Sequence, residues 1–150
     1  MSGDTDLIKL YSERILALAA DMPNDERLAH PDATIKKRSP LCGSTVTVDI
    51  TVKDGRIAEY GQDVKACALG QAAASVVGAA APGCTRDQIE TARDQLKALL
   101  KSDGPTPDAP FDGLEVLRPA RDYKNRHASI MLALEATLEA MDKAAETACA

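Results

Sequence analysis

Residues 45–52 read TVTVDITV, and no other stretch restricts the possible folds as much. Val46, Val48, Ile50 and Val52 fall on one side of an extended chain, and Thr45, Thr47, Asp49 and Thr51 on the other, because strand side chains alternate with a period of two. A helix would scatter both sets. Strict alternation predicts a half-buried strand of an antiparallel sheet, with its apolar face on a core and its polar face in water. The following KDGR supplies an Asp-Gly turn, and RIAEYGQDV at 56–64 returns as the hairpin partner. ATIKKR at 33–38 can add a short edge strand.

The period then changes. CALGQAAASVVGAAAP, 67–82, is rich in Ala and Gly, residues that let a helix approach its neighbour closely. Gly70 and Gly78 each cost about 1 kcal/mol against Ala in a helix interior, which packing must offset. Thr85 and Gln88 have the spacing of a capping box, ahead of an apolar face of Ile89, Ala92, Leu96 and Leu99. Residues 5–21 put Leu7, Tyr11, Ile15 and Leu18 on one helical face behind an N-cap at Thr5. A long final helix, about 124–145, turns Ile130, Leu134, Leu138 and Met141 inward. The proline-bearing segments around 22–32 and 102–113 read as loops. An N-terminal helix, a small antiparallel three-stranded sheet and then helices packed on it make an α+β fold in one domain, 1–150. A chain of 150 residues can bury a substantial core. With aromatics at 3% and no Trp, that core must be Ala, Val, Leu and Ile.

The formal charge of −5 argues against a nucleic-acid or anionic-membrane surface. No run approaches the roughly 18–20 apolar residues of a membrane span, and the opening MSGDTDLIKL lacks a basic start followed by an apolar stretch. The expected location is therefore the cytoplasm. Four cysteines there read as thiols, metal ligands or reactive groups rather than structural disulfides.

Two of the cysteines sit at element junctions. Cys42, in SPLCGS, precedes the alternating strand, and Cys67 stands where the hairpin hands over to the Ala-rich helix. The free N–H groups at a helix N-terminus favour anionic sulfur. A hairpin brings its two ends back together, so both junctions can share one rim, where paired thiolates would suit a soft metal or sulfur chemistry. Read from spacing alone, both are equally small core residues, as free cysteines often are. Cys84 precedes a capping residue and reads as a turn residue, and Cys149 as incidental near the C-terminus. Lys36, Lys37 and Arg38 are a solvated edge or a dock for an acidic partner. A thiol enzyme using Cys67 with His127 as base would lack an orienting third group.

SPLCGS at 39–44, DGRI at 54–57 and ACALGQAAAS at 66–75 resemble, in motif and in the separation of the two cysteines, the U-type iron–sulfur cluster assembly scaffold family (IscU, SufU and the N-terminal domain of NifU). The resemblance covers nearly the whole chain, and RPAR at 118–121 lies closer to the SufU branch. It implies a scaffold or carrier rather than a turnover enzyme. Such a protein accepts sulfur through Cys42 and Cys67 from a cysteine desulfurase, holds iron or a nascent [2Fe–2S] cluster, and passes it to acceptor proteins, with a homodimer possible. Three positions depart from the family pattern. Ser44 stands where the family has Asp, Ala66 where it has Gly, and RDYKNRHASIML lacks the third cysteine, whose place falls on Lys124, His127 or Ala128. The implied metal ligands are Cys42, Cys67 and His127, a set able to bind Zn²⁺ with water in the fourth position or a weak cluster. Loss of the Asp and the third Cys also fits a scaffold-derived binding or regulatory module, with Zn²⁺ possible, that no longer transfers clusters. Arg121 would help present the last helix.

Overall fold

The computed structural model describes residues 12–40 and 43–149, the last three by backbone alone. Helix α1, Glu13–Ala20, starts after Ser12, whose hydroxyl accepts the Ile15 N–H at 3.3 Å. Ile15 is fully buried. Thr5, Leu7 and Tyr11, assigned above to the same helix, lie outside the described residues.

Strands β1 (Ala33–Arg38), β2 (Thr45–Lys53) and β3 (Arg56–Lys65) form one antiparallel sheet in the order β1-β2-β3. Asp54 and Gly55 turn the hairpin with φ of 55° and 75°, the left-handed pair that a tight two-residue turn between twisted strands requires. The outer edge of β3 is not bare. Gln62 N–H donates to Asn24 O at 3.0 Å and Ile57 N–H to Cys84 O at 3.0 Å, while Arg56 bridges to Thr85.

The half-buried expectation for β2 is corrected by its burial. Residues 46–50 are all buried, polar members included. On one face Ile50 and its partner Tyr60 lie under the C-terminal helix. On the other, the segment that read as a polar loop crosses the sheet and seats Arg27 and Leu28 over Asp49. The Asp49 carboxylate, with no exposed surface, accepts from Arg27 Nε at 2.6 Å, Arg27 Nη2 at 3.2 Å, Leu28 N–H at 3.0 Å and the Thr34 hydroxyl. Gly61, beside Asp49 in the ladder, makes room for this cover: a Cβ there would lie 2.3 Å from Glu26 O.

Helix α2, Ala68–Ala80, is the Ala-rich segment, and its glycines mark close approaches. A Cβ on Gly78 would lie 2.4 Å from Gln62 Nε2. The buried Gln62 amide donates to Pro23 O at 3.0 Å and Ala74 O at 3.1 Å, tying β3 to α2 and to the chain after α1. Helix α3, Arg86–Ser102, opens on the expected capping box and buries Ile89, Ala92, Leu96 and Leu99. Thr85→Ala should cost about 1 kcal/mol; an unchanged urea midpoint would show that the box contributes nothing to stability.

A 3₁₀ helix, Asp112–Asp122, precedes helix α4, Lys124–Cys149. Phe111, Leu114, Leu117 and Ala120 are buried at every third residue, the period of a three-residue turn. α4 crosses the sheet, where Tyr60 Oη and Thr137 Oγ1 meet at 3.0 Å in the core. It buries Ile130, Leu134, Leu138 and Met141 as its spacing predicted. α3 runs antiparallel to α4, with Arg86 bonded to Asp142 near the far end. No helix of the described residues is long and apolar enough to cross a membrane.

A candidate thiol site at the sheet-to-helix junction

Thr45 pairs with Lys65, so the start of β2 and the exit from β3 meet at one end of the sheet. The β1–β2 connection closes there, with Ser39 N–H donating to Ser44 O at 2.8 Å and Gly43 N–H to Ser39 O at 3.0 Å. Cys42 lies outside the described residues; its described neighbours belong to this closure. Cys67 is the N-cap of α2, in extended conformation and partly exposed. Its side chain caps no N–H of the helix, which leaves the sulfur directed elsewhere.

The partner of that sulfur is a residue to which the sequence reading gave no role. Cys67 Sγ lies 3.7 Å from Ser129 Oγ, and the Ser129 hydroxyl donates to Ser44 Oγ at 2.9 Å. Ser44 and Ser129 are both buried, so the rim of the sheet, α2 and α4 converge on a chain of one thiol and two hydroxyls. Gly70 permits the convergence, since a Cβ there would lie 2.5 Å from Ser129 Oγ and 3.3 Å from Ser129 O. The only earlier hint of Ser129 was its place in the HAS run after the missing cysteine. Chemically, this chain can accept a hydrogen bond from the Cys67 thiol or turn a hydroxyl toward a sulfur anion.

His127 sits elsewhere. Its Nε2–H donates to Ala120 O at 3.0 Å and Arg121 O at 3.1 Å, fastening the start of α4 to the end of the 3₁₀ helix. Two residues on a helix differ by about 200° in direction, so His127 and Ser129 leave α4 on nearly opposite sides. Ligation through Nε2 would break both bonds, leaving Nδ1 as the free donor atom. Among the described residues, no three His, Cys, Asp or Glu side chains gather closely enough to hold a metal ion. Cys84 is buried, and its thiol donates to Ala80 O at 3.2 Å. Burial pushes that thiol above its usual range, against the pull of Arg56. Lys37 is paired with Glu139 of α4.

A three-stranded antiparallel meander under a long C-terminal helix, with a cysteine at the hand-over from sheet to helix, defines an α+β domain of the NifU/IscU class. A solved structure of a nitrogen-fixing NifU-like protein (N-terminal) from Brucella abortus is similar to this chain at 40% identity and a TM-score of 0.91, over 94% of this chain and 98% of that one. The chain belongs to the NifU-like N-terminal-domain family. A protein named as an iron–sulfur cluster assembly scaffold of the SUF system, from Fervidobacterium islandicum AW-1, shares the fold at 16% identity and a TM-score of 0.79, over 89% of this chain and 98% of that one. No family model and no curated protein matches the chain.

Proposed function

We propose that this protein is an iron–sulfur cluster assembly scaffold, a carrier rather than a turnover enzyme. It accepts sulfur from a cysteine desulfurase, holds iron or a nascent [2Fe–2S] unit, and releases it to acceptor proteins. The observation that carries this reading is Cys67, partly exposed at the N-terminus of α2 and touching the Ser129–Ser44 hydroxyl pair. Membership of the NifU-like family supports it.

In the sulfur-accepting step the partly exposed Cys67 thiol first gives up its proton to solvent, and the Ser129 hydroxyl, 3.7 Å away, can turn to donate to the thiolate. The thiolate attacks the terminal sulfur of a donor persulfide; one S–S bond forms as the donor's S–S bond breaks, and the donor cysteine leaves as thiolate. Cys42 and Cys67 supply the thiolates that hold iron. With two thiolates, the remaining positions on an iron ion would fall to sulfide or water. His127 Nδ1, on nearly the opposite side of α4 from Ser129, could take one only if the first turn of α4 rotated. Ser44 in the family's Asp position is a neutral hydroxyl already bonded to Ser129, so release of the cargo proceeds without a carboxylate there.

The test is the iron, zinc and acid-labile sulfide content of protein purified without oxygen or chelator, beside a Cys42→Ser, Cys67→Ser double variant. Iron with sulfide in the wild type alone is the expected result. Equal content in both proteins would sink the proposal. Zinc alone, with desulfurase recovered equally by both proteins, would replace it with a zinc-holding binding module.

A further inference from the structure

On the side of α4 that carries His127, α3, the end of the 3₁₀ helix and the first turns of α4 wall a cleft of about 880 Å³. Its lining holds five Lys or Arg against two acids, in a chain whose formal charge is −5. Arg93, Lys97 and Lys101 recur at every fourth residue of α3, about 6 Å apart along the axis, so they form a row on one wall. Arg121 and Lys124 stand on the other. Because the helices are antiparallel, the acids Asp94 and Glu135 fall together at one end of the cleft, and Lys97, Lys101, Arg121 and Lys124 toward the other.

Part of this charge is already used. Arg93 pairs with Asp94 at 2.9 Å, and Arg121 lies 3.5 Å from Asp103, which Arg118 also holds. Lys97, Lys101 and Lys124 form no ion pair among the described residues and are exposed. Three unpaired cations in one concavity repel each other, an arrangement that an anionic occupant relieves.

We propose that this cleft is the docking site for an acidic peptide segment, a run of Asp and Glu, on a partner protein. The cations are spread along two walls rather than converging on one point, which suits a row of carboxylates better than a single phosphate. They are mostly lysines on long stems, without the paired arginine forks that grip phosphate bidentately. An extended polyanion, nucleic acid or membrane, would overrun the cleft onto a surface whose net charge is negative. Ala128 lines the cleft and the next residue, Ser129, touches Cys67 from the other side of α4, so the docked segment would hold its parent protein about one helix diameter from the thiol.

The experiment is fluorescence anisotropy of a short labelled oligoglutamate peptide at low salt, with wild type, Lys97→Glu/Lys101→Glu, Lys124→Glu and a control, Arg14→Glu/Lys53→Glu. The control matches the first variant in net charge but changes exposed cations outside the cleft. The expected result is salt-sensitive binding that weakens about ten-fold or more in the α3 double variant, weakens in Lys124→Glu, and persists in the control. Equal loss in both double variants would reduce the effect to net charge and overturn the proposal. So would an absence of peptide binding, including the case in which inorganic tripolyphosphate binds instead under control of Lys97 and Lys101. None of these outcomes depends on whether Cys67 holds iron.

Discussion

Asp49→Ala is expected to lose roughly 2–4 kcal/mol of folding stability at neutral pH, read as a fall in the urea midpoint. The carboxylate has no exposed surface and is the acceptor for Arg27, the Leu28 N–H and the Thr34 hydroxyl. Removing it strands those donors beside the sheet. Arg27 is about half exposed and can return to water, which places the expected loss below that of a fully enclosed ion pair. The pH dependence has a definite sign. Burial acts to raise the Asp49 carboxyl, but the bonds from Arg27, Thr34 and Leu28 N–H, with the charge of Arg27, outweigh it and hold the group below its usual range. A carboxyl depressed in the folded state adds stability above its unfolded value, about pH 4, and loses that contribution as pH falls through the folded value. The gap between wild type and Asp49→Ala should therefore narrow on acidification below about pH 4. A loss under about 1 kcal/mol at neutral pH would mean that this contact does not hold the cover on the sheet.

Gly61→Ala attacks the same cover from below. The new Cβ would lie 2.3 Å from Glu26 O, 3.1 Å from Leu28 Cγ and 3.2 Å from Leu28 N. Two of those atoms are backbone, so no side-chain rotation relieves the overlap and the segment must lift. Overpacking of this kind costs roughly 1–3 kcal/mol. Here lifting the segment also draws Leu28 N–H and Arg27 away from Asp49, so the upper end is expected. In a domain of this size that is a drop in Tm of roughly 6–12 °C. In Asp49→Ala the bonds lost by lifting are already gone, so the two changes together should cost less than their sum. Strict additivity would show that Gly61 and Asp49 act separately.

Both predictions concern the part of the fold that the sequence concealed. Period two in β2, Asp-Gly at the turn, the capping box and the inward face of α4 are local patterns, and each names its element directly. Which side of a strand faces water is not local. Asp49 sits in the polar half of the alternation, and nothing in TVTVDITV reveals that Arg27, more than twenty residues earlier, lies across it. The Phe111-Leu114-Leu117-Ala120 spacing was legible but falls outside the two periods that strands and α-helices obey. At the thiol site, Cys67 at the head of a helix could be read from the switch in period. Its neighbour Ser129 could not, because the contact exists only where Gly70 lets α4 close in. His127 was readable as a residue near the start of the last helix, but not the direction of its ring, which the carbonyls of Ala120 and Arg121 set.

The outer edge of β3 is partly occupied by the chain's own backbone at Asn24, Cys84 and Thr85, and β1, at the opposite edge, carries Lys36, Lys37 and Arg38. A short strand studded with cations is a poor template for another strand, and a partly occupied one offers fewer N–H and C=O groups to recruit it. Growth of the sheet from molecule to molecule, the usual route to fibrous aggregates, is therefore hindered on both flanks. The partly exposed thiol rim can thus stay open without inviting copies of the chain to pair along its strands.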